Sequence, residues 1–262
     1  MDFAQFKNRM LKTFGLDLNS YKEAQLQRRI DSFLTRHKVA DYQALYFLLQ
    51  GDLKVYEAFM DCVTINVSEF FRDPARWVEL EKEILPGLLA RRRSLKVWSA
   101  ACANGAEPYS LAIVLKEVAP RFSHYLLATD IDQNVLAAAH AGRYNADVVR
   151  HAGVERLGRY FIREGKGYMI KEEIKKPVSF RQHDLLTQPF EKGFDLILCR
   201  NVTIYFTRDA QQRLYYEFAQ ALAEGGILFV GGSEMILNHK ELGLEKVRTS
   251  FYRKTNVLKE EG

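Results

Sequence analysis

Leu95-Lys-Val-Trp-Ser-Ala-Ala-Cys-Ala-Asn-Gly-Ala-Glu-Pro-Tyr-Ser110 changes texture twice, and its reading decides the fold. Leu95 to Ser99 predicts a strand. Ala101 to Gly105 is a run of small residues and predicts a tight turn. Pro108 to Val118 carries Leu111, Ile113, Val114 and Leu115 and predicts a helix. The same alternation continues. Tyr125 to Thr129 predicts a strand, closed by Asp130-Ile131-Asp132, and Gln133 to His140 a helix. Strands follow at Phe194 to Cys199 and Ile227 to Val230, with a helix from Asp209 to Ala223 between them. Strands alternating with helices predict a parallel sheet covered on both faces, an α/β fold.

The alternation breaks between about 142 and 183. Arg159 to Arg163, Tyr168 to Lys171 and Val178 to His183 read as short strands, and Glu164-Gly165-Lys166-Gly167 is a hairpin signal. This predicts a small antiparallel insertion on the sheet edge, its last strand running toward the main sheet. Upstream, residues 1–72 read as a helical domain. Leu26, Ile30, Phe33 and Leu34 share one helix face, while Lys22, Arg29 and Arg36 recur every seven residues along one flank. Residues 73–93 read as a linker helix, with Asp73 as cap and Pro74 in the first turn. Residues 94–262 form the sheet domain.

The chain has 262 residues, 47% hydrophobic and 27% charged, enough for a sizeable core. A formal charge of +5 suits an acidic partner but is too small to indicate nucleic acid. Cys62, Cys102 and Cys199 are scattered, so neither a disulfide framework nor a paired metal motif is expected, which fits a reducing cytosol. No signal-peptide pattern and no apolar run near the ~20 residues of a membrane span is present.

In an open parallel sheet, ligands bind beyond the carboxyl ends of the strands. The first such loop has one glycine, Gly105, where a dinucleotide fingerprint needs three, and it lacks the Lys-Ser/Thr of a phosphate loop. Glu107 would repel a pyrophosphate and suit a cationic ligand; on pattern alone it reads as a helix cap before Pro108. Asp130 is placed to accept from a ribose, whereas Asp132 reads as the cap of the next helix. Arg200, Asn201 and Tyr205 are polar groups at the end of a buried strand. Asn66, Ser68 and Arg72 punctuate a segment anchored by Phe70 and Phe71. The prolines common after this strand in nucleic-acid amino-methylating enzymes are missing from Arg200-Asn-Val-Thr-Ile-Tyr205.

These pieces together resemble the CheR family of chemotaxis receptor glutamate O-methyltransferases. The resemblance runs in family order through Thr64-Ile-Asn-Val-Ser-Glu-Phe-Phe-Arg72, the loop Trp98 to Ser110, Ala128-Thr-Asp-Ile-Asp132, Phe194 to Phe206 and Gly231-Gly-Ser-Glu-Met235. It implies a Rossmann-like methyltransferase sheet domain with a small antiparallel β insertion and an N-terminal helical domain. It implies S-adenosylmethionine as cofactor, S-adenosylhomocysteine as product, and transfer of a methyl group to receptor glutamates. Asn66, Ser68 and Arg72 would reach the cofactor, Glu107 its amino group and Asp130 its ribose. Asp184 and Leu185 would flank the adenine, and Arg200 and Asn201 would complete the pocket. Arg72 and Tyr205 would position the substrate carboxylate. Lys22, Arg29 and Arg36 would dock the acidic cytoplasmic helical domains of chemoreceptors. A cytoplasmic monomer is implied, without nucleic acid or membrane insertion. The short hairpin turn implies an enzyme independent of a receptor-tail tether. The chain departs from the common Gly-Cys-Ser-Thr-Gly-Glu-Glu loop by reading Ala101-Cys-Ala-Asn-Gly-Ala-Glu107, and Ser68 stands where Thr is common.

Overall fold

The computed structural model describes residues 1–255; positions 256–262 of the expected sheet domain lie outside the described residues. A helical layer comes first: α1 (Phe3–Phe14), α2 (Glu23–His37), α3 (Tyr42–Gly51) and α4 (Leu53–Val63). Asp2, Asp41 and Asp52 accept backbone N–H bonds at the starts of α1, α3 and α4, satisfying donors a helix leaves free. Phe6, Leu26, Ile30, Phe33 and Phe59 fill the core of this layer.

The next helix has three parts: α5 (Pro74–Glu79), a widened turn at Leu80–Ile84, and α6 (Leu85–Arg91). Pro86 has no N–H for the normal ladder, which accounts for the wide turn. Asp73 does not cap this helix as the sequence suggested. It sits at φ 61° without a capping bond, and its carboxylate pairs with Arg200 instead.

The main sheet contains β1 (Lys96–Ala100), β2 (Tyr125–Asp130), β6 (Val178–Gln182), β7 (Phe194–Cys199), β8 (Leu222–Val230), β9 (Leu244–Arg248) and β10 (Phe251–Lys254). Their order is β6-β2-β1-β7-β8-β10-β9. The first five are parallel, but β10 runs antiparallel to both neighbours, so the sheet is mixed rather than all-parallel. Side chains alternate between its two faces. Val97, Leu126, Leu196 and Leu198 pack on one face; Trp98, Leu127, Ile197 and Cys199 pack on the other. Helices α7 (Ala106–Val118), α8 (Gln133–Ala141) and α11 (Arg208–Ala221) cover it.

The insertion holds β3 (Arg143–Asn145), α9 (Gly153–Tyr160), β4 (Phe161–Glu164), β5 (Gly167–Ile170) and α10 (Glu172–Lys175), with sheet order β3-β5-β4. Arg159 and Tyr160, read as strand, close α9 instead. The hairpin signal holds: Gly165, at φ 55°, turns β4 into β5. The strand expected at Val178 joins the main sheet, pairing parallel with β2.

Candidate functional site

The carboxyl ends of β1, β2 and β7 open on one cavity, closed from above by residues 63–72. After β1 the backbone turns through Ala101 (φ 57°), Ala103 (φ 47°) and Gly105 (φ 83°). A Cβ on Gly105 would lie 2.9 Å from the Cβ of Ala139, so this glycine is needed for close helix approach. The Ala103 N–H donates to Asp130 Oδ2 at 2.9 Å, and the Asp132 N–H donates to Asp130 Oδ1 at 3.1 Å. Asp130 is buried, and burial raises its pKa to about 6 despite these bonds.

Glu107 is no helix cap. From the first turn of α7 its carboxylate accepts from Ser99 Oγ at 2.8 Å and from Arg200 Nη1 at 3.4 Å. Burial raises its pKa, and the Arg200 charge opposes that rise. Arg200 is buried too. Its Nη2 donates to Asp73 Oδ2 at 2.8 Å and to the Arg72 carbonyl at 2.9 Å. Its guanidinium also lies 4.5 Å from the Phe229 ring centroid.

The segment 64–72 is tied down. Thr64 and Asn66 donate to Asp132 Oδ2 at 3.3 and 2.9 Å, and Asn104 donates to the Ser68 carbonyl at 3.3 Å. Asp132 does cap α8, as expected, and also anchors this strap. Arg72 is half-buried, donates to the Val67 carbonyl at 3.2 Å and joins no carboxylate in an ion pair among the described residues. Among the described residues six non-glycine residues adopt positive φ, and five of them (Phe71, Asp73, Ala101, Ala103, Asn201) border this cavity or its strap. Such strain persists where surrounding bonds over-determine the backbone.

The cavity brings together Asn66, Ser68, Arg72, Glu107, Asp130, Asp184, Leu185, Arg200, Asn201 and Tyr205. Asp184 is held by the Leu186 N–H at 2.8 Å and by the Thr187 hydroxyl at 2.9 Å, and burial raises its pKa. The flank of α2 is less uniform than its spacing suggested. Lys22 and Arg36 are exposed. Arg29 turns inward, donating to the Val63 carbonyl at 2.8 Å with its guanidinium 5.0 Å from the Tyr205 ring centroid.

Sequence reasoning gave Glu234 no role. Its buried carboxylate accepts from the N–H groups of Asn201 (2.7 Å), Val202 (3.0 Å), Thr203 (2.8 Å) and Gly231 (2.7 Å), and from the Thr203 hydroxyl (2.7 Å). It holds the loop carrying Asn201 and Tyr205. Gly231-Gly-Ser-Glu-Met235 was the only available signal.

Two buried carboxylates, Glu107 in the first turn of α7 and Asp130 at the end of β2, suit a ligand that carries a cation and sugar hydroxyls. The small-residue backbone of Ala101 to Gly105 lets such a ligand approach closely. The donor set therefore fits S-adenosylmethionine, and fold and site together define a methyltransferase of the class that uses it. Two family models match in sequence. The CheR methyltransferase all-alpha domain covers residues 1–64, and the CheR methyltransferase SAM binding domain covers 66–252. A chemotaxis protein methyltransferase of Listeria innocua is 43% identical, over 97% of both chains. That of Listeria monocytogenes is 42% identical over the same shares. Chemotaxis protein methyltransferase 1 of Pseudomonas aeruginosa is 33% identical over 90% of this chain and 91% of its own. The chain belongs to the CheR methyltransferase family, and its cofactor is S-adenosylmethionine. Its reaction is methylation in chemotaxis. No helix among the described residues is long and apolar enough to cross a membrane.

Proposed function

We propose that this protein transfers a methyl group from S-adenosylmethionine to glutamate carboxylates on the cytoplasmic helical domains of chemoreceptors, forming methyl esters. The observation that carries this reading is Arg72, a cation lining the same cavity as Tyr205 without an acidic partner among the described residues. A carboxylate arriving there finds an oriented guanidinium.

When bound, the cofactor supplies a methyl group activated on a sulfonium. A glutamate with an unperturbed pKa of about 4.3 arrives already ionised, so the protein need not take a proton from it. Arg72 keeps that carboxylate ionised and aims one oxygen; the Tyr205 hydroxyl donates to the other. The strap at 64–72 and the loop held by Glu234 exclude water, which strengthens both contacts. Asn66, Ser68, Glu107, Asp130, Asp184, Leu185, Arg200 and Asn201 bind the cofactor. For Asn66 that contact is made through the strap it fixes on Asp132.

Domains at 1–72 and 94–262, linked by helix 73–93, divide the work. The first docks the receptor through Lys22 and Arg36, while Arg29 bridges docking to Tyr205. The tight β4–β5 turn supports action without a receptor-tail tether. Arg72→Ala tests the central role: turnover on a receptor cytoplasmic fragment should be lost while S-adenosylhomocysteine still binds by calorimetry. Unchanged turnover would refute the assignment.

A further inference from the structure

Tyr21 lines the same cavity, although it comes from the helical layer and no strand end carries it. It stands just before α2. Its backbone forms a β-bridge with Phe206, flanked by the Lys22 N–H on the Tyr205 carbonyl at 2.9 Å and the Thr207 N–H on the Ser20 carbonyl at 2.8 Å. Its ring meets Phe206 edge-on, with centroids 5.0 Å apart at 84°. Backbone pairing and ring packing together fix where the phenol points.

The buried phenols of Tyr109, Tyr144 and Tyr215 each place the hydroxyl on a protein partner; among the described residues Tyr21 makes no such bond. Asp184 and Asp130 line this cavity with it. Burial first, then those two carboxylates, hold the phenol above its ordinary range, so it keeps its proton and serves as a donor. Asp184 stands where the adenine is assigned and Asp130 where the ribose is.

We infer that Tyr21 is a cofactor-binding residue supplied by the helical layer, its hydroxyl donating to the nucleoside end of S-adenosylmethionine where ribose meets adenine. The inference rests on the pocket assignment above. Cofactor binding then also braces the start of α2, immediately beside Lys22.

Tyr21→Phe removes the hydroxyl and keeps the ring on Phe206. The full-length variant and wild type are titrated calorimetrically with S-adenosylhomocysteine, and turnover is measured at saturating cofactor. The Kd should rise about fivefold to tenfold, the value of one hydrogen bond in a closed site. The KM for cofactor should rise with it and kcat should hold, because Tyr21 touches no reacting atom. The Tm of the ligand-free variant should stay within about 2 °C of wild type. Unchanged affinity, with wild type binding, would overturn the contact and leave the pocket assignment standing. A larger fall in Tm together with lost affinity would assign Tyr21 a structural role and overturn it too. Failure of wild type itself to bind would remove the pocket assignment instead.

Discussion

The guanidinium of Arg29 lies 5.0 Å from the ring centroid of Tyr205, joining helix α2 to the loop that follows β7. A residue spaced like a surface docking charge is thus part of the wall that holds a proposed substrate-positioning group. Of the two contacts of Arg29, that to the Val63 carbonyl ties α2 to the end of α4 within the helical layer, and that to Tyr205 crosses from the layer to the site.

Arg29→Ala should therefore slow turnover as well as weaken docking. Loss of a partly desolvated cation–π contact, about 1–2 kcal/mol, corresponds to roughly fivefold to thirtyfold. A fall in kcat beside a rise in the receptor KM is expected, with partial recovery in Arg29→Lys. A change confined to KM would return Arg29 to a docking role alone.

Glu234→Gln keeps the size of the side chain but turns an amide NH2 toward the backbone N–H groups that the carboxylate now accepts. At least one buried donor loses its partner, at a cost of about 2–3 kcal/mol, and Tm should fall by roughly 5–10 °C. Affinity for S-adenosylhomocysteine should drop with it, because Asn201 and Tyr205 hang from this loop. A thermal melt and a titration of the same sample check both; an unaltered melting curve would contradict the role given to Glu234.

Asp130 sets a pH dependence. Its pKa in the ligand-free fold is raised from 3.8 to about 6, mainly by burial. An Asp raised on folding binds its proton more tightly when folded. Its contribution to stability is present at low pH and is lost as pH rises through 6. Cofactor binding runs the other way, since two ribose hydroxyls need the ionised carboxylate as acceptor. Affinity should thus be level above pH 7 and fall about tenfold per unit below 6, more steeply as Glu107 and Asp184, both also raised, take up protons. Calorimetry from pH 5 to pH 8 measures this, and Asp130→Ala, at its lower affinity, should show a shallower profile that keeps only the Glu107 and Asp184 dependence.

Arg200 is buried between Asp73 and Glu107. Arg200→Met removes the cation and leaves Glu107 without its counter-charge, which should destabilise the protein by about 3–5 kcal/mol. Denaturant unfolding of variant and wild type compares them; a difference below about 1 kcal/mol would argue against that network.

The strand ends were legible because their chemistry is local. A small-residue run after Ser99 and an acid after Thr129 mark a ligand face wherever a parallel sheet forms. Glu234 was not legible, because its meaning comes from the fold returning residues 231–234 to the backbone of 201–203, a bond pattern without periodicity. Strand β10 was missed for a related reason: its place between β8 and β9 is set by long-range pairing. Arg159-Tyr-Phe-Ile-Arg163 has three strand-favouring residues at its centre, yet its first two residues close α9, where the Tyr160 ring is buried in the core. Arg29 had the right spacing for a docking flank, but spacing does not show that Tyr205 folds back beneath it.

The most direct measurement is the fate of a labelled methyl group from S-adenosylmethionine incubated with this protein and a chemoreceptor cytoplasmic fragment. The expected result is label on glutamate side chains that alkali releases as methanol, absent with Arg72→Ala. Alkali-stable label, or label that persists undiminished with Arg72→Ala, would contradict a glutamate methyl ester formed under the guidance of Arg72.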